Sequence, residues 1–295
     1  MNDISDINSS KLVYCMVSTG HIQNFNIETT DNVDKMRKFH NFIKLKLISH
    51  AKRLTNGTTL LDIAVGRGGD LFKWKEAGFK TIVGFDPHRE SLQEAQNRLK
   101  EQLALKKKIP FTKYYHLDAL DRNVLSKLRS LEQNVRGLKD DGTNNTYDVV
   151  SCQFAFHYFA KEQSDLNHVL NLVSSKLNNG GLFVGTATDG DIIHNILNNG
   201  DVNLKLLQLK RVDSSTYSFN IASKSANKTY FDVKGASLEH YLFKQQFVET
   251  AKEYGLEIIN IESFYKWYQG YDKPLSIQEQ LISFLNFSFI FRKIY

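Results

Sequence analysis

The sequence predicts an α/β fold built on a doubly wound, seven-stranded and mostly parallel sheet. Three observations lead to this prediction. Apolar runs typical of buried parallel strands alternate with helical patterns from Asp31 onward. A glycine-rich turn that includes Gly66 follows the first apolar run. The next run ends at the acidic residue Asp86, and ligands bind at the carboxyl ends of strands in such sheets.

Hydrophobic periodicity gives the elements in chain order. An irregular, flexible segment is expected over residues 1–30, followed by an N-terminal amphipathic helix over Asp31–Leu54, with Asp31 as its N-cap. The predicted strands are Thr58–Ala64, Lys80–Asp86, Phe111–Leu117, Tyr147–Gln153, Leu182–Ala187, Leu256–Ile261 and Phe284–Phe291. The other predicted helices are Asp70–Ala77, Pro87–Lys108, one that starts at Asp121, Gln163–Leu177 (closed by Asn178–Gly181), Asp189–Asn198 and Phe243–Tyr254.

The alternation of strands and helices breaks after the fifth strand. Short β-prone runs, Thr216–Ile221 and Lys228–Val233, are separated by Ser, Asn and Lys. We therefore predict a β insertion at about residues 200–235. Gly137–Thr146 is polar and predicted to be an exposed loop. Because no linker composition interrupts residues 31–295, a single domain is expected there.

Composition excludes several classes of protein. No window contains the roughly 18 or more apolar residues of a membrane span, so no membrane association is expected. Cys15 and Cys152 give no disulfide framework, and no cluster has the spacing of metal ligands, so no metal is expected. The net charge of +6 permits an anionic partner such as nucleic acid.

The glycine-rich turn indicates a nucleoside ligand. Gly66, Gly68 and Gly69 allow close approach of the backbone, and a carboxylate at Asp86 can accept both ribose hydroxyls. These features fit NAD, FAD or S-adenosylmethionine. However, Asp70 at the start of the following helix opposes a pyrophosphate there. S-adenosylmethionine has no phosphate and carries positive charge, so it is the favoured ligand.

Aromatic residues follow the fourth strand. In folds of this kind, the loop after that strand faces the group that is transferred. Phe154 and Tyr158 can wall a flat base, and His157 can hydrogen-bond one of its edges. The alternative is a core strand that ends in aromatic residues, with His157 satisfied locally. Cys152, within the apolar strand, is expected to be buried and inert.

Three motifs resemble those of the mRNA cap guanine-N7 methyltransferases. Arg37–Lys44 is similar to R-x-F-N-N-W-I-K, Leu61–Trp74 to L-D-L-G-C-G-K-G-G-D-L-x-K-W, and Ser151–Tyr158 to S-C-Q-F-x-x-H-Y. The resemblance runs from Arg37 to the C-terminus. It is greatest to the methyltransferase domain of a capping enzyme from large cytoplasmic DNA viruses. It implies a class I S-adenosylmethionine-dependent methyltransferase fold, which is Rossmann-like.

The resemblance also implies roles for individual residues. S-adenosylmethionine, which becomes S-adenosylhomocysteine, would have its carboxylate near Lys44, its ribose at Asp86 and its adenine at Asp118. The methionine part would be held by Asp62, Gly66 and Gln153, with Gly68 also in the cofactor loop. The guanine of the cap would meet Asn41, Phe154, His157, Tyr158 and Glu239, and the triphosphate would meet Arg67 and Arg98.

The implied reaction needs no general base, since guanine N7 has a free lone pair and loses no proton. We therefore expect catalysis by in-line orientation, with His157, Tyr158 and Glu239 as the orienting residues. The sequence departs from the family at Ala64, which replaces a loop glycine, and at His40 and Phe42, which replace Asn and Trp. The family's tyrosine near the last strand has no clear counterpart, and Asn286 or Phe287 falls near its position.

The partners implied are capped RNA and other domains of a longer capping enzyme. The implied location is cytoplasmic, at a viral replication site or in a virion, or nuclear for a cellular protein. Two alternatives remain open at this point. One is a methyltransferase for another RNA position, a protein or a small molecule. The other is a non-catalytic RNA-binding subunit with the same fold.

Overall fold

The computed structural model describes residues 4–23, 33–221 and 235–295, with side chains from residue 9 onward. The described helices are α1 (Ile4–Thr19), α2 (Asp34–Thr55), α3 (Leu71–Ala77), α4 (Arg89–Ala104), α5 (Val124–Glu132), α6 (Gln163–Lys176), α7 (Gly190–Asn198), α8 (Lys244–Glu253), α9 (Phe264–Tyr268) and α10 (Ile277–Ser283). The described strands are β1 (Thr59–Ile63), β2 (Thr81–Asp86), β3 (Phe111–His116), β4 (Lys139–Asp140), β5 (Asn145–Gln153), β6 (Leu177–Thr188), β7 (Val202–Asn203), β8 (Leu207–Arg211), β9 (Thr216–Ile221), β10 (Ser237–His240), β11 (Leu256–Ser263) and β12 (Asn286–Lys293). A 3₁₀ turn spans Phe156–Phe159.

The main sheet has the order β11-β12-β6-β5-β1-β2-β3, with β4 paired to β5 outside that path. The strands β3, β2, β1, β5 and β6 pair in parallel, whereas β12 runs antiparallel to both β6 and β11. Every residue of β1 and β2 is buried, because helices cover both faces of the sheet. The predicted doubly wound, mostly parallel sheet is thus confirmed.

The parallel strands bring the predicted site residues to one edge of the sheet. Asp86 ends β2, Gln153 ends β5, and Asp62 lies one residue before the end of β1. Asp62 also pairs in register with Ser151 on the neighbouring β5. Side chains that are far apart in sequence therefore meet at the carboxyl edge.

Several predicted boundaries are wrong. The strand β6 begins at Leu177, directly after α6, so Asn178–Gly181 belongs to the strand and does not close the helix. A register shift against β5 accommodates the extra residues, and Gly180 has a φ of +77° there. The predicted loop Gly137–Thr146 contains β4, which pairs with the start of β5. The helix α4 ends at Ala104, because Lys106 adopts a left-handed φ of +52°.

The N-terminal prediction is also wrong in part. Ile4–Thr19 forms a helix whose Val13 and Val17 are buried and which packs against α7 and α10. Periodicity does not reveal this helix because its apolar residues are spread around its circumference. The helix α2 begins at Asp34 after Val33, and the proposed N-cap Asp31 lies outside the described residues. In the ranges described, no helix combines the length and apolar character needed to cross a membrane.

The β insertion forms a second antiparallel sheet with the order β10-β9-β8-β7. The run Thr216–Ile221 is its strand β9, as predicted, and Lys228–Val233 lies outside the described residues. The strand β10 and the helices α9 and α10 are not predicted by the sequence pattern. Their positions matter, because β10 carries Glu239 next to the loop that follows β5.

Candidate active site at the carboxyl edge of the sheet

The turn after β1 is built from left-handed backbone. Ala64, Gly66 and Gly68 have φ values of +59°, +52° and +66°. A Cβ added at Gly68 would lie 3.0 Å from the Ala95 Cβ on α4, so this glycine is required for helix packing as well as for the turn. Gly68 is predicted to allow close approach of a ligand. The packing of α4 against the turn is a second reason for a glycine at this position.

Asp86 stabilises this turn through hydrogen bonds with the backbone. Its Oδ2 accepts a hydrogen bond from the Gly66 N–H at 2.8 Å, and its Oδ1 accepts one from the His88 N–H at 2.8 Å. The carboxylate is 6% exposed and stands at the end of β2, where the sequence predicts it. Each of its oxygens can accept a further hydrogen bond.

Ala64 stands where a glycine is expected, and it adopts the backbone conformation that favours glycine. The left-handed region costs an L-residue roughly 1–2 kcal/mol, and part of that cost is recovered because alanine restricts the unfolded chain. We expect Ala64→Gly to raise the free energy of unfolding by about 1 kcal/mol, measured by denaturant unfolding. Ala104→Gly, at the exposed last residue of α4, is the control and should lower it by roughly 0.5–1 kcal/mol. Equal destabilisation by both substitutions would contradict this account of Ala64.

Two lysines hold Asp70 at the start of α3. Its Oδ1 lies 2.7 Å from Lys44 Nζ on α2 and 2.8 Å from Lys73 Nζ, and all three side chains are largely buried. Burial opposes ionisation, but the two ammonium groups outweigh it and lower the Asp70 pKa to about 2. The predicted residues Lys44 and Asp70 are therefore in contact, and Lys44 has hydrogens left to donate to another anion.

Asp62 is the least satisfied charge in this site. Its Oδ1 is buried and has no hydrogen-bond partner within the described part of the chain. Burial and the nearby charge of Asp70 raise the pKa of Asp62 well above its usual value, although a hydrogen bond with Ser151 opposes the shift. The Tyr114 hydroxyl is likewise buried without a partner among the described residues. An ammonium or sulfonium group would relieve this arrangement, so the residues fit a cationic nucleoside.

Gln153 and Phe154 complete the wall at the end of β5. The Gln153 amide donates to the Ser151 hydroxyl at 3.2 Å, and its Oε1 accepts from the Thr186 hydroxyl at 3.2 Å. Phe154 has a left-handed φ of +58°, which its N–H bond to the Thr186 carbonyl at 2.9 Å helps to hold. Its ring stacks on His40 with centroids 5.1 Å apart. His40, which replaces the family's asparagine, thus buries one face of Phe154.

A second buried cluster joins the loop after β5 to the β insertion. His157 Nε2 lies 3.4 Å from Glu239 Oε2, and Nδ1 accepts from the Thr188 N–H at 3.4 Å. Glu239 accepts hydrogen bonds from the Tyr217 hydroxyl at 2.9 Å and from the Ser237 hydroxyl at 2.9 Å. His157 and Glu239 are 2% and 1% exposed. Glu239 lies in β10 and is buried, so it is not a solvated surface residue.

Burial sets the charges of this cluster. It lowers the His157 pKa to about 3, so the imidazole is neutral. It raises the Glu239 pKa to about 7, although hydrogen bonds from Ser237 and Tyr217 oppose this shift. Glu239 therefore changes between an acid and a carboxylate near neutral pH.

The remaining predicted residues surround these clusters and are exposed or half-buried. Asn41 is exposed on α2, one helical turn before Lys44, and Asp118 is exposed with its Oδ1 accepting from the Leu120 N–H at 2.9 Å. Arg67 Nε lies 3.6 Å from Glu94 Oε2, and Arg98 reaches the glycine turn, 4.0 Å from a Cβ built on Gly69. Tyr158 stacks at an angle on the ring of His157, 4.4 Å away.

Sequence reasoning missed several residues that take part in these contacts, among them Lys73, Tyr114, Thr188 and Tyr217. Lys73 stands three residues after Asp70, a spacing that indicates a contact on a helix. The other three are brought to the site only by strand pairing and have no local sequence signal.

Comparison with known proteins identifies the chain. The sequence profile of the mRNA (guanine-N(7))-methyltransferase domain matches residues 21–285. The chain belongs to this family. It is 28% identical over 280 residues to a probable mRNA-capping enzyme of Acanthamoeba polyphaga mimivirus, with 83% of this chain and 23% of that protein covered. It is 33% identical over 172 residues to the mRNA cap guanine-N(7) methyltransferase of Caenorhabditis elegans, with 56% of this chain and 42% of that protein covered.

The chain thus spans between about a quarter and two fifths of the length of these relatives of the family. A solved S-adenosylmethionine-dependent methyltransferase from Clostridium acetobutylicum shares the fold, with a TM-score of 0.53 at 16% identity over 97% of this chain and 98% of that chain. A second structure, from Listeria monocytogenes, gives a TM-score of 0.53 at 17% identity over 86% of this chain and 98% of that chain. These two likenesses confirm the predicted fold class.

Proposed function

We propose that this chain transfers a methyl group from S-adenosylmethionine to N7 of the 5′ guanosine cap of mRNA. The observation that carries the proposal is the buried Glu239–His157 contact beside the acidic cluster of Asp62 and Asp70. The cluster of Asp62 and Asp70 suits a cationic nucleoside. The cluster of Glu239 and His157 offers a carboxylate to the edge of a base. Membership of the mRNA (guanine-N(7))-methyltransferase family supports the pairing of these two ligands.

Residues around the glycine turn would hold the cofactor. When bound, S-adenosylmethionine supplies a methyl group that its sulfonium already activates. Asp62 would accept hydrogen bonds from the ammonium group, which its unpartnered Oδ1 supports, and Lys44 would donate to the carboxylate. Asp86 would accept from the ribose. The further cofactor contacts that we propose are Gly66, Gly68, Asp118 and Gln153.

The cap guanine would meet Glu239 as a carboxylate that accepts from its N1 and N2 hydrogens. Tyr217 and Ser237 already donate to that carboxylate, so the guanine must exchange or add hydrogen bonds within a buried network. Because both Glu239 and His157 are nearly inaccessible, the side chains that cover them must move for the guanine to bind. Asn41, Phe154 and Tyr158 are proposed to wall the base, and Arg67 and Arg98 to hold the triphosphate.

Orientation accounts for catalysis in this proposal. Guanine N7 loses no proton, and the neutral His157 is not required to accept one. His157, Tyr158 and Glu239 would fix the plane of the base so that N7 faces the methyl group. Alignment of this kind supplies up to roughly 7–11 kcal/mol in favourable systems. Positive charge grows on the guanine during transfer, and the Glu239 carboxylate would stabilise it.

Methyl transfer is tested with labelled S-adenosylmethionine and three acceptors: capped RNA, uncapped RNA and free GTP. We expect label in 7-methylguanine, with capped RNA as the best acceptor. Label only at other RNA positions, in protein or in small molecules would favour another methyltransferase activity. No label with any acceptor, despite cofactor binding by calorimetry, would exclude the proposed activity of the isolated chain.

We further propose that residues 31–295 act as one methyltransferase domain beside other capping domains. The larger size of the mimiviral relative supports this arrangement. The corresponding location is the cytoplasm, at the site of viral replication or in the virion, and co-purification of this chain with the other capping activities from infected cells would test it.

A further inference from the structure

We propose that a basic face beside the glycine turn binds the single-stranded RNA that follows the cap. We call it the α2–α4 face: the outer side of α2, α3 and α4 with residues 105–110, which follow α4. The identity of the RNA as capped mRNA depends on the proposed function, whereas binding of single-stranded RNA does not. The face adds a partner surface that extends beyond the cap and its triphosphate.

Positive charge is concentrated on this face. The helix α2 has seven Lys or Arg residues, of which Lys44 is paired with Asp70, and one Asp, and its net charge of +6 equals that of the whole chain. Residues 98–108 add five Lys or Arg against one Glu, so the rest of the chain is net acidic. The helices α2, α3 and α4 share one hydrophobic cluster on one side of the sheet, which brings these charges to one layer.

An exposed aromatic ring lies among the lysines. Phe72 on α3 is 44% exposed, with Lys107 Nζ 5.7 Å from its ring centroid. Single-stranded nucleic acid is bound by this combination, in which bases stack on rings and phosphates meet cations. A duplex keeps its bases paired and cannot use the rings in this way.

The face is continuous with the proposed triphosphate site. Arg98 approaches the glycine turn, with an Nη 4.0 Å from a Cβ built on Gly69, and Phe72 follows three residues later. Lys107 Nζ lies over the ring of Phe72. An RNA chain that leaves the triphosphate at Arg98 therefore meets Phe72 and Lys107 in turn.

Charge is tested with the triple substitution K106Q, K107Q and K108Q, which changes exposed lysines outside the proposed active site. The probe is an uncapped single-stranded RNA of about 16 nucleotides, and anisotropy is measured across a salt series. We expect the slope of log K against log salt to fall in magnitude by about 2. The control K139Q, K210Q and K273Q makes the same charge change elsewhere and should leave the slope unchanged. Equal effects of the two triple variants would overturn the proposal.

Stacking is tested with the substitution F72L, which keeps an apolar side chain at this exposed position. We expect single-stranded RNA to bind about tenfold more weakly, with duplex RNA of the same length bound as before. Thermal unfolding checks that the variant is folded. Equal weakening of single-stranded and duplex RNA, or no weakening of either, would overturn the stacking assignment.

Kinetics separates this inference from the proposed function. The lysine triple variant should raise KM for a capped RNA of about 16 nucleotides but not for the capped dinucleotide. Loss of RNA binding in that variant, together with no methyl transfer by the wild type, would leave the inference standing and exclude the function. Methyl transfer by the wild type, together with unaltered RNA binding in the variant, would support the proposed function and exclude this inference.

Discussion

Glu239→Gln is expected to reduce kcat/KM for capped RNA by about 100-fold, because a charged hydrogen-bond acceptor is worth roughly 1.5–3 kcal/mol. The amide that replaces one oxygen is a donor facing the N1 and N2 hydrogens of the guanine, which adds to the loss. Affinity for S-adenosylmethionine should be unchanged, since Glu239 lies in the His157 cluster and not in the Asp62 cluster. Steady-state kinetics and calorimetry on the same preparation measure the two effects. Equal loss of both would contradict the assigned role.

The same substitution has a pH signature. The Glu239 pKa of about 7 lies above its usual 4.5, so the folded state favours the protonated form. The ionised form therefore costs stability, at most about 3 kcal/mol, and this cost appears as pH rises from 4.5 to 7. Glu239→Gln should be more stable than the wild type above pH 7, and the difference should vanish below pH 4.5. Glu253→Gln, at an exposed position, is the control and should show no such difference.

Activity should follow the opposite trend in the wild type. The proposed cap contact needs the Glu239 carboxylate, so KM for capped RNA should rise as pH falls below 7. A glutamic acid that costs stability where it is active is typical of a residue kept for function. A KM that is flat across this range, in wild type and variant alike, would count against a role for Glu239 in cap recognition.

Asp62→Asn is expected to weaken S-adenosylmethionine binding by about 50-fold, since it removes the charged acceptor that we propose for the ammonium group. S-adenosylhomocysteine, which keeps the ammonium but lacks the sulfonium, should lose affinity to the same extent. Calorimetry with both ligands measures this. Greater loss for S-adenosylmethionine alone would assign Asp62 to the sulfonium instead.

The unfolding temperature distinguishes a lost cofactor contact in Asp62→Asn from damage to the fold. In the free protein, Asp62 is buried near the charge of Asp70, and its raised pKa shows that ionisation is unfavourable there. Asp62→Asn should therefore unfold at the same or a higher temperature than the wild type. Asp140→Asn, at an exposed position, is the matched control for both ligands and for stability. An unchanged affinity in Asp62→Asn would show that the carboxylate does not face the cofactor.

Much of the fold followed from local sequence. The continuous apolar runs of β1 and β2 and the glycine turn between β1 and α3 predicted a parallel sheet, because only strands covered on both faces have such runs. Asp86 was predicted at the end of β2 for the same reason. The boundaries of β6 and α4 were less predictable, since a strand irregularity and the left-handed Lys106 leave weak local signals.

The sequence by itself determined the sheet, the glycine turn and the carboxylates at its edge, because period and turn chemistry act over a few residues. The tertiary structure alone decided which side chains meet. Strand pairing brings Tyr217 of β9 to Glu239 of β10, and the insertion as a whole then seats Glu239 against His157. Burial there gives both groups their shifted pKa values. Desolvation depends on everything packed around a group, and no local pattern specifies that.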